Sequence, residues 1–410
     1  MPSDPRPSSS PEVPTEAARR FGFWTFAGHL LSVWGIALSN TLLGLTILWS
    51  GFSRRHLRWH WPSAAPLMIP LGVYAIFFAI SALTSIEPLT SAKELKTLIG
   101  LATVPLAILI VRGAAEVRRI FDLIILMMVP LALYGIGQYF LTDYGPLDDR
   151  IPGPFSHYMT YSGVLLLGVL LLFGRLTANK GRGQPLCWLV LLLVGSALLL
   201  TLTRGAWIAA GVILAGVLLR HARRYLLAYL IALLAAGVFA AALAPETWKA
   251  RIVSITDPRN ESNYDRLSML QAGLFMIAER PLFGIGPAMV RHRYPIYRHP
   301  TAPRFKANHL HNSFLQIAAE RGLLSLAAYL WLMGAAIRLT YQGYRREGGD
   351  GGDNADLYLG ILLAVIGFNV AGLFEANWRD TEIQRLVLFT LAAPVCLRSQ
   401  PPSKPALDRP

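Results

Sequence analysis

Charged side chains are scarce in this sequence: Asp, Glu, Lys and Arg make up 15% of its 410 residues, whereas hydrophobic residues make up 54%. A soluble protein of this length needs roughly a quarter of its residues charged to cover its surface. Mean hydropathy is +0.44, and uncharged apolar runs recur from residue 21 to residue 397. The composition excludes a soluble α/β enzyme and a disordered chain, and it indicates an all-α polytopic membrane protein.

Cysteine is almost absent. The chain has two cysteines, Cys187 and Cys396, and both lie in apolar segments. This pattern argues against a secreted disulfide scaffold and against a cysteine-ligated metal centre. The first twenty residues also lack the apolar core and the cleavage site of a signal peptide, and their Pro and Ser content predicts a disordered tail.

The apolar runs predict about twelve transmembrane helices. The uncharged stretch 21–52 is too long for one span and short for two, so we predict two short helices that join near Asn40. The other runs lie near residues 64–83, 98–111, 120–140, 159–173, 185–203, 206–219, 225–244, 312–337, 357–374 and 383–397.

These boundaries divide the chain into five parts. They are a disordered cytoplasmic tail (1–20), helices one to nine (21–244), a large outer loop (245–310), helices ten to twelve (311–397) and a cytoplasmic tail (398–410).

The distribution of basic residues predicts the orientation. With the N-terminus in the cytoplasm, the cytoplasmic segments hold 21 Lys and Arg residues and the short outer loops hold six. Cytoplasmic loops of membrane proteins carry an excess of Lys and Arg. Both termini are therefore predicted to be cytoplasmic, and the formal net charge of +14 reflects this bias rather than nucleic-acid binding.

The large outer loop, residues 245–310, is the feature to explain, because long loops in compact proteins are usually functional or disordered. It contains a helix-like stretch over 266–279, with Asn263 and Asp265 before it as candidate caps, and Pro and Gly residues over 281–287 predict turns. The loop is thus predicted to be folded and to lie away from the cytoplasm. No ATP is available there, so any chemistry must use substrates that are already activated.

Two arginines on the outer side are candidate anion ligands. Arg204 lies in a tight turn between two apolar spans, and an arginine at the membrane edge often has a ligand or a partner. Arg266 lies at the start of the loop helix, where its charge would oppose the helix dipole. The alternatives are a snorkelling Arg204 and an ion pair of Arg266 with Asp265 or Glu261.

Residues 308–312 contain a His-x-His pair directly before the tenth predicted span. His309 or His311 could act as a general base near neutral pH, and either could instead be structural. No acidic residue or cysteine lies near the pair in the sequence, so we predict no metal site.

Basic and aromatic residues alternate over 291–306. On an outer loop this pattern favours an anionic lipid or glycan and argues against nucleic acid, although a merely solvated loop is the alternative. The candidate substrate-binding arginines are Arg291, Arg293, Arg298 and Arg304. Arg150, in the turn-rich loop 141–157, is a further candidate, and Glu375, Asp380 and Glu382 are second-rank acid–base candidates.

The order of these residues resembles the O-antigen ligase and polymerase superfamily. The matching elements are Arg266-x3-Leu270, then Pro281-Leu-Phe-Gly284-Ile-Gly286, then His311-Asn312-x9-Gly322. The family pattern continues to a second glycine, where this chain has Ser325. Weaker matches are Thr203-Arg204-Gly205-Ala206-Trp207 and Arg150-x2-Gly153-x-Phe155-x-His157, although the asparagine that often follows the latter is absent.

The resemblance implies a glycosyltransferase of the Gram-negative inner membrane whose site faces the periplasm. Such ligases move O-antigen from undecaprenyl pyrophosphate to lipid A–core with inversion and without a cofactor. His311 would then be the base, and Arg204 and Arg266 would hold the pyrophosphate. Arg150, His309, Asn312 and the arginines of the basic cluster would bind substrate. The implied partners are the two lipid-linked glycans and membrane lipids.

Three other functions are compatible with the sequence. An O-antigen polymerase tends to have two sizeable periplasmic loops, whereas one is evident here. A ligase that glycosylates proteins tends to be longer. A twelve-helix transporter usually has ionisable residues near the bilayer midplane and an internal repeat, and neither is evident here.

Overall fold

The computed structural model describes residues 16–53, 61–144, 150–178, 184–221 and 260–399. Every regular element in these ranges is helical. The α-helices are α1 (Glu16–Leu31), α2 (Ile36–Phe52), α3 (Trp61–Leu83), α4 (Pro88–Ala92), α5 (Thr103–Ile110), α6 (Gly113–Leu141), α7 (Tyr158–Ala178), α8 (Gln184–Leu200), α9 (Arg204–His221), α10 (Glu261–Glu279), α11 (Met289–Tyr297), α12 (Ser313–Arg346), α13 (Ala355–Ala371) and α14 (Thr381–Arg398). Short 3₁₀ helices lie at Lys93–Ala102, Gly349–Gly351 and Asn377–Arg379.

Apolar helices account for most of the described chain, which is a multi-pass membrane protein. Within the described ranges, four helices, α3, α6, α7 and α12, are long and apolar enough to cross a membrane, and α2, α8, α9 and α13 are shorter apolar helices. Eleven of the predicted spans coincide with helical segments. The span near 225–244, the loop residues 245–259 and most of both predicted tails lie outside the described residues, so the count of twelve and the orientation stay predictions.

Three predicted boundaries were wrong. The first helix begins at Glu16, inside the predicted tail, and its break from α2 lies at residues 32–35, where Gly35 precedes α2. Asn40 lies within α2 and is exposed. The loop helix begins five residues earlier than predicted because Asn260 caps it: its side chain accepts a hydrogen bond from the Ser262 amide.

The centre of the bundle is the contact between α7 and α13. Gly174 of α7 lies so close to Gly360 of α13 that a Cβ on Gly174 would be 2.3 Å from the Gly360 backbone. Small residues of this kind allow membrane helices to approach closely. The apolar core spreads from this contact to α1, α6, α12 and α14.

The outer loop has a core of its own. Met269 and Met276 of α10, Met289 of α11 and Leu315 of α12 are buried together. Helices α10 and α11 therefore pack on the first turns of α12, and they form a small folded unit at one end of the bundle.

A kink in α12 joins this unit to the bundle. Gly322 has φ +78° and ψ 170°, a conformation that is essentially restricted to glycine. A Cβ at this position would lie 2.0 Å from the Leu282 carbonyl oxygen. The kink exposes carbonyls in the helix, and the passing turn satisfies them: the amides of Ile285 and Gly286 donate to Ala319 and Glu320 at 2.9 Å.

Candidate active site

The candidate site begins with a contact between two distant parts of the chain. His311 Nδ1 lies 2.9 Å from Glu375 Oε2, with hydrogen-bond geometry, although 64 residues separate them. The loop between α13 and α14 brings Glu375 there. Ser313, at the start of α12, binds this loop through its amide to the Gly372 carbonyl (2.7 Å) and its hydroxyl to the Glu375 carbonyl (2.8 Å).

The contact determines the state of the His311 ring. An ionised carboxylate only accepts hydrogen bonds, so Nδ1 carries a proton, and in the neutral imidazole Nε2 is then the nitrogen with the free lone pair. Among the described residues, none hydrogen-bonds Nε2. His311 also has φ +49°, which is uncommon for a residue other than glycine and is often found at functional sites.

His309 approaches the same carboxylate from the other side. Its Nε2 lies 2.9 Å from Glu375 Oε1, although this nitrogen is not aligned for a hydrogen bond. Burial would raise the pKa of Glu375, but its contacts with His309 and His311 outweigh burial and hold the pKa well below its usual range. Glu375 is therefore a carboxylate at neutral pH.

These three side chains also form a set of metal-type ligands. One ligand atom from each of His309, His311 and Glu375 lies within 4.8 Å of the others. The reason for predicting no metal was that no acidic residue lies near the histidines in the sequence, and tertiary structure removes that reason. The metal-free site stays a prediction, and a chelator tests it below.

Arg266 lies opposite the histidines on α10. The N-cap at Asn260 places it in the second helical turn, so the predicted opposition to the helix dipole in the first turn was wrong. Its neighbour Asp265 pairs instead with Arg304, at 3.1 Å. No described carboxylate forms an ion pair with Arg266, which leaves its half-buried guanidinium available to an anion.

A cleft of about 450 Å³ lies between these groups. Its lining includes four cationic residues and one acidic residue, Asp265. The cationic residues are Arg150, Arg266, Arg304 and Lys306. His157, His309 and His311 also line it. The excess of positive charge makes the cleft electrostatically favourable for an anion, and arginine in particular can bind phosphate oxygens through two parallel hydrogen bonds.

Arg204 lies behind the cleft rather than in its lining. It is the first residue of α9, follows the strained Leu202 (φ +51°) and is 6% exposed. Its Nη2 donates to Asn263 Oδ1 of α10 at 3.1 Å. Arg266 and Arg150 are close enough to act on it electrostatically. Arg204 therefore contributes positive potential and holds the start of α10.

The four arginines of the basic cluster have separate surroundings. Arg304 lines the cleft, whereas Arg293 pairs with Glu87 at 2.9 Å. Arg298 donates to the Ala302 carbonyl at 3.0 Å, and Arg291 is exposed on α11. Of these four predicted ligands, one borders the site.

The remaining predicted ligands are Asn312 and Arg150. Asn312 caps α12, with Oδ1 accepting from the Leu315 amide at 2.9 Å and Nδ2 donating to the Leu373 carbonyl at 3.1 Å. This places it in a structural role. Arg150 stacks on the ring of Tyr158, 3.7 Å from its centroid, at the edge of the cleft. An arginine beside an aromatic ring suits a phosphate or sugar ligand.

Asp380 was a second-rank candidate and lies beside the site. It accepts a hydrogen bond from the Thr160 hydroxyl at 3.0 Å. Burial and the nearby charge of Glu375 raise the pKa of Asp380 to about 6. Asp380 is thus a carboxyl group that changes charge near neutral pH next to the histidines.

A family model described as O-antigen ligase matches residues 189–330. Over this segment the chain is similar to the O-antigen ligase family. Within the superfamily match lie Arg204, Arg266 and His311, whereas Arg150 and Glu375 lie outside it. No curated protein matches the chain. This similarity supports a function of the lipid-linked glycan ligase or polymerase type, and it does not distinguish the two.

Proposed function

We propose that this protein is an O-antigen ligase of the Gram-negative inner membrane with its site at the periplasmic face. It transfers O-antigen polysaccharide from undecaprenyl pyrophosphate to lipid A–core. The observation that carries the proposal is the pairing of an oriented histidine, His311, with a cationic cleft that contains Arg266.

The proposed reaction is a single displacement that inverts the anomeric carbon. A hydroxyl of lipid A–core attacks this carbon and gives its proton to Nε2 of His311. The bond from the anomeric carbon to the pyrophosphate oxygen breaks, and undecaprenyl pyrophosphate leaves with the electron pair. Glu375 keeps the other nitrogen of His311 protonated and stabilises the imidazolium that forms, as a carboxylate does in a catalytic triad.

Arginines stabilise the leaving group. Arg266 binds the pyrophosphate oxygens directly, and Arg204 behind it adds positive potential and holds α10 in position. This arrangement supplies the charge that a metal ion would otherwise supply, so the proposed reaction is metal-independent.

The other cleft residues bind the glycans. Arg150, stacked on Tyr158, and Arg304 with Lys306 flank the reacting groups and suit anionic or sugar substituents. His309 completes the environment of Glu375. Arg293 and Arg298 do not bind the substrates directly, because they contact Glu87 and the Ala302 carbonyl instead.

A reconstituted transfer assay tests the proposal. Wild-type protein, His311→Ala and the control His292→Ala, an exposed histidine on α11, are given undecaprenyl-pyrophosphate glycan with or without lipid A–core, in EDTA. We expect wild type and His292→Ala to label lipid A–core alone. His311→Ala should lose roughly 10²- to 10⁴-fold, the usual contribution of a general base.

Each of the other possible outcomes contradicts one part of the proposed function. Glycan lengthening without lipid A–core makes the protein a polymerase. If wild-type transfer is lost in EDTA and restored by a divalent cation, the reaction requires a metal ion, and His309, His311 and Glu375 become its candidate ligands. Transfer by His311→Ala at the wild-type rate would show that His311 is not the general base.

A further inference from the structure

Helix α10 has an exposed apolar face that the proposed reaction does not use. Its large apolar side chains Leu267, Leu270, Leu274 and Phe275 are 60%, 42%, 53% and 53% exposed. The face continues to Leu282, which is 56% exposed. Contiguous exposed apolar side chains of this kind mark an interaction surface.

The opposite face of α10 is already covered. Met269, Ala272 and Met276 are fully buried against the outer loop and the start of α12. The exposed face therefore points away from the folded loop unit. Although α10 has 19 residues, it is not among the described helices apolar enough to cross a membrane.

Both ends of α10 meet the ends of membrane helices. At its start, Asn263 accepts the hydrogen bond from Arg204, the first residue of α9. Just beyond its end, Arg280 donates to the Thr84 carbonyl, directly after α3, at 3.0 Å. The Leu323 amide, at the kink of α12, donates to the Pro281 carbonyl at 2.8 Å. A helix of this length spans about 28 Å, so α10 runs across the end of the bundle rather than away from it.

The apolar face of α10 ends beside α12, which has exposed apolar side chains of its own. The Leu324 amide of α12 donates to the Leu282 carbonyl at 3.4 Å. Leu323 is 44% exposed, and Leu330 and Trp331, farther along this long apolar helix, are 48% and 51% exposed. Exposed apolar side chains therefore extend from a helix that is long and apolar enough to cross a membrane onto the outer face of α10.

We propose that α10 is an interfacial helix whose outer face, Leu267 to Leu282, is immersed among the phospholipid acyl chains at the boundary of the bilayer leaflet. A helix in the plane of the interface buries one apolar face at the acyl boundary, as expected from the physics of amphipathic segments in membranes. The inference needs only the exposure and the end contacts of α10, and it holds for a ligase or a polymerase.

Spin-label accessibility in proteoliposomes tests it. Cys187 and Cys396 are the two native cysteines, and Cys187→Ser with Cys396→Ala gives the parent protein. Single cysteines are placed at Leu267, Leu270 and Leu274. Leu330→Cys on α12 is the lipid reference, and His292→Cys, exposed on α11, is the aqueous reference. Only variants that stay monodisperse are labelled.

The proposal expects collisions with oxygen to exceed collisions with a water-soluble nickel chelate at all three α10 positions, as at residue 330. A ratio like that of residue 292 at the three positions would show that the face is in water and overturns the proposal. Low accessibility to both reagents would show a protein cover, and this result also overturns it.

Discussion

Replacement of Glu375 by glutamine tests the link between the distant carboxylate and the candidate base. Glu375 is 8% exposed, and both of its oxygens lie 2.9 Å from a histidine nitrogen. Glutamine has nearly the same shape but no charge. It can still accept a hydrogen bond from His311, but it no longer stabilises the imidazolium formed in the reaction.

The expected loss follows from the strength of that interaction. A hydrogen bond to a charged group contributes about 1.5–3 kcal/mol, which corresponds to a decrease of about 10- to 150-fold in rate. Glu375 does not line the cleft, so the decrease should appear in kcat while KM for the glycan donor stays nearly constant.

The assay is the reconstituted transfer described above, with initial rates at several donor concentrations. Glu94→Gln is the matched control, because it makes the same chemical change in the 3₁₀ helix Lys93–Ala102, and Glu94 does not line the cleft. An unchanged kcat in Glu375→Gln would refute the orienting role. An increase in KM as large as the decrease in kcat would place Glu375 in substrate binding instead.

Three further variants test separate parts of the structure. Arg266→Lys should lose roughly 10- to 100-fold in transfer rate, because an ammonium cannot form two parallel hydrogen bonds to phosphate; a normal rate would leave this arginine only a general electrostatic role. Burial raises the pKa of Asp380 from 3.8 to about 6. The folded protein is therefore most stable with respect to this group below about pH 4, where the carboxyl is neutral. It loses that stability as the pH rises through 6, because the buried carboxyl must then ionise. Asp380→Asn should therefore gain about 1–2 kcal/mol over wild type at pH 7.5 but not at pH 4, as measured by thermal unfolding in detergent. Gly322→Ala should lose about 2–4 kcal/mol of stability in the same unfolding assay, because the positive φ of Gly322 and the nearby Leu282 carbonyl disfavour a side chain there. The control Gly334→Ala, in the same helix with open space around it, should be close to neutral. Equal effects of the two substitutions would contradict the explanation from the kink.

Local patterns in the sequence were sufficient for the helices and for part of the site. Apolar runs locate spanning segments because a bilayer requires about twenty apolar residues per helix, whatever the tertiary packing. The glycines and prolines over 281–287 predicted turns, and Gly284 and Gly286 do have positive φ. His311 and Arg266 were predicted as site residues, and the structure brings both to one cleft.

The helix caps and the partner of Arg204 could not be predicted in the same way. Asn263 and Asp265 are good capping residues, but Asn260 caps α10, and Asn263 is then used by Arg204. Several polar residues in a row are chemically equivalent as caps. The choice among them depends on which one also satisfies a buried arginine from another helix.

Composition, apolar periodicity and the placement of arginines are properties of the chain in one dimension, and they were sufficient to predict a helical membrane protein with one long basic loop. Contacts between residues far apart in the chain decide the rest. Glu375 becomes the partner of His311 only because the start of α12 holds the loop before α14. Likewise, α10 has an uncovered apolar face only because its other face packs on the loop unit. Burial and hydrogen bonding across 64 residues of sequence leave no local signal, so these features exist only in the folded protein.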